Sequence, residues 1–111
     1  MRPISVGVDP VAATLTTVYT VPTGYYAQMS LMYIHNTGGG AKHITVQWID
    51  ASTSTTFDIL YQYSVSSKNY LQFDGGAYIV LEEGDQIKIT TESGSDFTFI
   101  GTFEEIGLTR Q

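Results

Sequence analysis

Lys42-His43-Ile44-Thr45-Val46-Gln47-Trp48-Ile49-Asp50 sets Ile44, Val46 and Trp48 on one side and His43, Thr45 and Gln47 on the other. Successive side chains of a strand point to opposite faces, so this alternation reads as a strand with one buried face, and a helical period does not fit it. Downstream, Thr55 to Val65 repeats the pattern: Phe57, Ile59, Tyr61, Tyr63 and Val65 stand against Thr56, Asp58, Gln62 and Ser64, with Leu60 as the exception. Two such segments, joined by the Ser-Thr-Ser-Thr-Thr run at Ser52 to Thr56, read as a loop, place the chain among the all-β proteins.

Working outward, turn signals recur about every 8–12 residues, the spacing expected of a sandwich or barrel. Thr14 to Val21 ends at Pro22-Thr23-Gly24, where proline presets φ and glycine accepts the conformation that follows. Tyr25 to Asn36 is a long strand closing at Thr37-Gly38-Gly39-Gly40, read as a hairpin tip. Asn69 to Phe73 stops at Asp74-Gly75-Gly76, and Ala77 to Glu82 stops at Glu83-Gly84-Asp85. Gln86 to Glu92 carries Ile87 and Ile89 inward, and Phe97 to Ile106 places Phe97, Phe99 and Phe103 on one face with Gly101, which marks a bulge or a close backbone approach. Eight strands result, and helix content is expected to be negligible.

Residues 1–13 are punctuated by Pro3, Gly7 and Pro10 and read as an extended arm whose Val6, Val8 and Val11 can still pack. The sequence therefore divides into an arm, 1–13, and a domain, 14–111, folded as an antiparallel β-sandwich of jelly-roll type. A chain of 111 residues holds one core, burying roughly 60–70% of the surface its unfolded form exposes.

Charged residues make up only 14% of the chain, and the formal net charge is −6. Threonine and serine supply the polar surface instead, and Thr suits a pleated strand and bonds across it. An acidic chain repels phosphate backbones and anionic membranes, and its five Lys and Arg form no run. Neither nucleic acid nor membrane is an expected partner. With no cysteine, disulfides, thiolate metal sites and thiol nucleophiles are excluded. No segment combines the charge and apolar run of a signal peptide or approaches the roughly 18 apolar residues of a spanning helix. The expectation is a chain made in a cytoplasm and not exported by the usual route.

Chemistry-bearing patterns are sparse. His35 and His43 flank the glycine loop and could share a metal, but a site needs further ligands and no Asp or Glu lies within this hairpin until Asp50. Glu82, Glu83 and Asp85 at one turn and Asp74 at another resemble loop ligands for calcium, without the alternate spacing of an EF-hand. No Gly-x-Ser-x-Gly elbow and no phosphate loop occur. Catalytic, cofactor-binding and metal-binding residues are accordingly expected to be absent, and the chain is expected not to be an enzyme. Tyr25, Tyr26, Tyr33, Tyr61, Tyr63, Tyr70 and Tyr78 serve core or subunit interface first, and a sugar-stacking surface second.

Thr17-Val18-Tyr19-Thr20-Val21-Pro22-Thr23-Gly24, followed by the strand ending Tyr33-Ile34-His35-Asn36-Thr37-Gly38, resembles the opening of small tailed-bacteriophage virion proteins. Leu81-Glu82-Glu83-Gly84-Asp85-Gln86-Ile87 is similar to their leucine-x-x-glycine-aspartate-x-isoleucine turn, and the resemblance spans Thr14 to Ile106. It implies a head decoration, or cement, protein: a homo-oligomer, as a rule a trimer, bound to the major capsid protein or another virion protein on the capsid exterior. A tail- or fibre-associated module recognising a host glycan, through the tyrosines and the loops at 38–40 and 52–54, is the alternative. Ile4, Val6 and Val8 of the arm, with Tyr25 and Tyr26, are the expected interface residues.

Overall fold

The structure, a computed structural model, describes residues 2–74 and 79–108. Nine strands run β1 (Arg2–Val8), β2 (Thr16–Thr20), β3 (Tyr25–Asn36), β4 (Lys42–Asp50), β5 (Thr55–Val65), β6 (Tyr70–Phe73), β7 (Ile79–Leu81), β8 (Gln86–Thr91) and β9 (Phe97–Gly107), with no helix among the described residues. One sheet has the order β1-β9-β3-β6, with β7 also on β3, and the other has the order β2-β8-β4-β5. Every pairing is antiparallel. Apart from the β4–β5 hairpin and the β6–β7 pair sharing the edge of β3, each connection crosses from one sheet to the other, which is the jelly-roll path.

The core lies between the sheets, where the alternating apolar residues meet. Ile34, Ile44, Val46, Ile87, Ile89, Phe97, Phe99 and Phe103 are fully or almost fully buried there. Outward positions on the same strands carry Thr, Gln, Lys and Glu, as period two requires.

Four features of the sequence reading are corrected. Residues 2–8 are not an arm apart from the domain: β1 pairs with β9 from Arg2–Glu105 to Val8–Phe99 and completes the first sheet. Ile4, Val6 and Val8 alternate toward the interior, and Val6 and Val8 pack against the chain's own core, whereas Val11 is exposed. Opposite β5, β6 and β7 both pair with β3, and with β1 added the described residues form nine strands where the sequence predicts eight. Ala77 and Tyr78, expected to open the strand that runs to Glu82, lie outside the described residues.

The Gly38–Gly40 stretch is not a hairpin tip either. It carries the chain from β3 in one sheet to β4 in the other, because both strands must turn an apolar face to the same core. Buried Asn36 fixes the crossing: its Nδ2 donates to Gly40 O (2.8 Å) and Val65 O (2.9 Å), and its Oδ1 accepts from Gly38 N (2.9 Å). Finally, β5 is bulged. Tyr63 opposes Ile44, Leu60 opposes Val46 and Phe57 opposes Trp48, with register breaks between them. Leu60, not Tyr61, therefore shares the core-facing side, and Gln62 takes a φ of 47° to make the jog.

Candidate functional site

The turn Leu81-Glu82-Glu83-Gly84-Asp85 brings Asp50, Glu82 and Asp85 together, with one carboxylate oxygen of each within 4.8 Å of the others. Asp85 is fully buried, and its oxygens are committed to the backbone and to an indole. Oδ1 accepts from Ala51 N (2.9 Å), and Oδ2 accepts from Glu82 N (2.9 Å) and Trp48 Nε1 (3.1 Å). Asp50 accepts from Ser52 N (3.2 Å) and Ser52 Oγ (2.8 Å). A buried carboxylate holding three N–H donors is a staple: it ties the β7–β8 turn to the end of β4. Gly84, at φ 85°, permits the turn, and Val21 N donates to Asp85 O (2.9 Å) to add β2's end to the same knot.

Of the other carboxylates in the sequence-derived calcium group, Glu83 accepts from Gly24 N and Asp74 accepts from Gln72 Nε2, so neither joins Asp85. The two histidines are also separated. His35 lies on the outer face of β3, near Tyr33, with ring centroids 6.4 Å apart. His43 lies in the opposite sheet beside Glu92, Nε2 to Oε1 3.6 Å, while its backbone N–H donates to the same oxygen at 3.0 Å. That donated N–H, helped by the His43 and Lys42 charges, holds the Glu92 carboxyl below its ordinary range.

A second polar cluster went unread in the sequence. Glu105, only 2% exposed, accepts from Arg2 Nε (2.7 Å) and from the Tyr19 hydroxyl (2.5 Å). Tyr19 stacks on Phe103 at 3.8 Å, and the Arg2 guanidinium sits 4.3 Å over the Tyr25 ring. Burial, and then the bond to Glu105, push the Tyr19 phenol well above its ordinary value. The signal for Glu105 was present, since it continues the alternation Phe97, Phe99, Gly101, Phe103; its partners come from β1 and β2 and had none. These groups close the margin of the sandwich where β1 and β2 lie side by side.

Among the described residues, the opposite margin, at β5 and β6, is left open. Phe57 and Tyr63 stand opposite core-facing Trp48 and Ile44, yet each is 46% exposed. Tyr61 at 68% and Tyr70 at 62% extend this apolar border, together with Phe73. On the outer face of the first sheet, Tyr33 and Tyr70 stack with centroids 5.4 Å apart. Of the expected interface residues, Val6, Val8 and Tyr25 pack against the chain's own core and Ile4 is half-buried. Tyr26 lines an open cleft of about 470 Å³ with Ser52, Val80, Glu82, Glu83 and Leu108.

No family model matches the sequence, and no curated protein matches it. Among solved structures the chain is similar to one from the Bacillus endospore appendages, a family of disulfide-linked pili. The TM-score is 0.58 at 16% identity, over 97% of this chain and 88% of that one. It is also similar to the globular domain of the zebrafish complement 1qA protein, with a TM-score of 0.44 at 17% identity over the whole of both chains. At these identities the appendage likeness is a likeness of fold: a β-sandwich found in a structural protein.

Proposed function

We propose that this chain is a non-enzymatic structural subunit that assembles with copies of itself at the surface of a larger particle. The specific form we propose is a capsid decoration protein, bound to a major capsid protein on the exterior of a phage head. The observation that supports self-assembly is the open β5 margin, where aromatic side chains that belong to the core-facing side of a sheet stand half in water. Leaving such a border uncovered is costly, and a neighbouring subunit covers it. The low charge density lowers the repulsion between copies. Asp85, Asp50 and Glu92 spend their carboxylates on neighbouring N–H and hydroxyl groups, which supports a role without catalysis. The appendage proteins form disulfide-linked pili; this chain has no cysteine, so its assembly does not rest on disulfides.

Sedimentation or light scattering across a concentration series tests the proposal, followed by rebinding to particles stripped of the protein. Discrete oligomers and rebinding are expected. A protein that stays monomeric at high concentration and ignores the particle would refute it.

A second reading has one observation in its favour. The stacked Tyr33–Tyr70 pair, with His35 beside it, offers an outward aromatic platform of the kind that stacks on a sugar ring. A glycan array separates the two readings: binding lost on Tyr70→Ala favours glycan recognition, and a blank array alongside particle rebinding favours decoration.

A further inference from the structure

We infer that β5 pairs with β5 of a second copy, antiparallel about a twofold axis through Leu60, joining the two four-stranded sheets into one continuous sheet. The inference rests on the self-assembly reading above and assigns the surface it uses.

The four margins of the sandwich differ in how they are protected. β1 carries Pro3, which has no N–H to donate, and its end is tied inward by Arg2 and Glu105. β2 is five residues long and broken by a bulge. β6 and β7 are four and three residues long among the described residues. β5 alone is long, at 11 residues, and it ends its sheet with no strand on its far side among the described residues. An edge of this length carries a single charge, Asp58, and although its centre is bulged, the regular stretches Thr55–Asp58 and Tyr63–Val65 on either side offer a template for another strand.

Its sequence also selects the partner. Read in both directions from Leu60, Thr-Thr-Phe-Asp-Ile-Leu-Tyr-Gln-Tyr-Ser-Val is nearly a palindrome of residue classes. The twofold register sets Phe57 against the partner's Tyr63, Thr56 against the partner's Ser64, Ile59 against the partner's Tyr61, and Leu60 against its own copy. Asp58 meets the partner's Gln62, so the strand's one negative charge faces an amide donor and not another carboxylate. Asp58 already accepts from Gln47 Nε2 through Oδ1 (3.0 Å), which leaves Oδ2 for that amide.

Residues opposed in an antiparallel pair lie on the same face, and the segments flanking the central bulges respect this condition, whereas within the bulged stretch core-packed Ile59 meets the exposed Tyr61. Phe57, Leu60 and Tyr63 all oppose core-facing residues of β4, while Thr56 and Ser64 oppose outward ones. The register breaks fall on either side of Leu60, so the twofold sets bulge against bulge. A twofold contact is self-complementary by construction, as an isologous interface requires. It closes as a dimer alone and as a hexamer when combined with a threefold.

The absence of cysteine makes the test direct. Leu60→Cys places two thiols across the axis, and a mixture of Asp58→Cys with Gln62→Cys chains tests the register two positions away. Thr17→Cys, exposed on β2, reports random collision. Under a mild oxidant, Leu60→Cys and the mixed pair should form disulfide dimers at least about tenfold faster than Thr17→Cys, because a preformed contact raises the effective concentration of the thiols. If Leu60→Cys loses its β circular dichroism, the mixed pair decides alone. Cross-linking no faster than the control overturns the inference. Discrete oligomers of the unmodified chain without Leu60 cross-linking overturn this surface and leave self-assembly standing; a strictly monomeric chain overturns both.

Discussion

Gly101 lies between two core phenylalanines on β9, and a Cβ there would come within 2.9 Å of Phe103 Cε1 and 3.2 Å of Phe99 Cε1. The ring ends are held by a packed interior and cannot swing aside. Gly101→Ala should therefore destabilise the fold by about 1–3 kcal/mol, read as a lower urea midpoint at unchanged slope. A neutral substitution would show that the rings have room. The sequence suggests a bulge or a close backbone approach at this glycine; what approaches it is the pair of phenylalanine rings, and the bulge sits on β3, between Met29 and Leu31. Tyr19 makes a pH-dependent prediction. Burial raises its folded-state pKa above the ordinary value of 10.0, so above about pH 10 the unfolded chain gives up a proton that the folded chain keeps, and stability falls as pH rises. Tyr19→Phe should be less stable than the parent near neutrality, having lost the hydroxyl donated to Glu105, but its stability should fall less steeply above about pH 10. Parallel alkaline melting curves for the two proteins would refute the assignment.

At the scale of elements, β1 and β5 decide most. Residues 2–8 look like an arm because Pro3 and Gly7 interrupt them and nothing local shows that β9 is waiting. Removing residues 1–8 strips Val6 and Val8 from the core and leaves Glu105 without its cation. The apolar burial lost with Val6 and Val8 sets an expected destabilisation on the order of 2–4 kcal/mol, measured by urea unfolding. An arm merely laid on the domain would leave the midpoint unchanged. Asn36 plays the matching part where β3 hands over to β4. Asn36→Leu deserts the buried carbonyl of Val65 and should cost about 2 kcal/mol or more, since each unsatisfied buried group costs about 1–3 kcal/mol. In β5 the alternation is legible in the letters, but the jogs around Leu60 come from backbone conformations such as that of Gln62, which residue type does not announce.

The molecule as a whole is acidic and sparsely charged, with one margin closed by an internal ion pair and the other bordered by aromatic rings. If apolar contact and strand pairing hold copies together, salt should not separate them. Raising ionic strength from about 0.1 M to about 1 M shrinks the Debye length from about 10 Å to about 3 Å and screens the mutual repulsion of chains carrying a net charge of −6. Sedimentation should then show oligomers retained or favoured. Dissociation in high salt would point to an interface of ion pairs and away from the β5 margin.

Period-two alternation and regularly spaced turn residues were enough to establish an all-β sandwich, because the faces of a strand are set by chain geometry that every residue shares. The same reading found the turn at 81–85 and the core phenylalanines of β9. Which carboxylate was buried, which histidines were kept apart and which margin stayed open were decided in space. Asp85 meets Trp48 and Glu105 meets Arg2 and Tyr19 only after strands distant in the chain become neighbours. A pattern along one strand specifies which side is apolar, but the partner that covers or neutralises it is supplied by another part of the chain, and local spacing does not encode that partner.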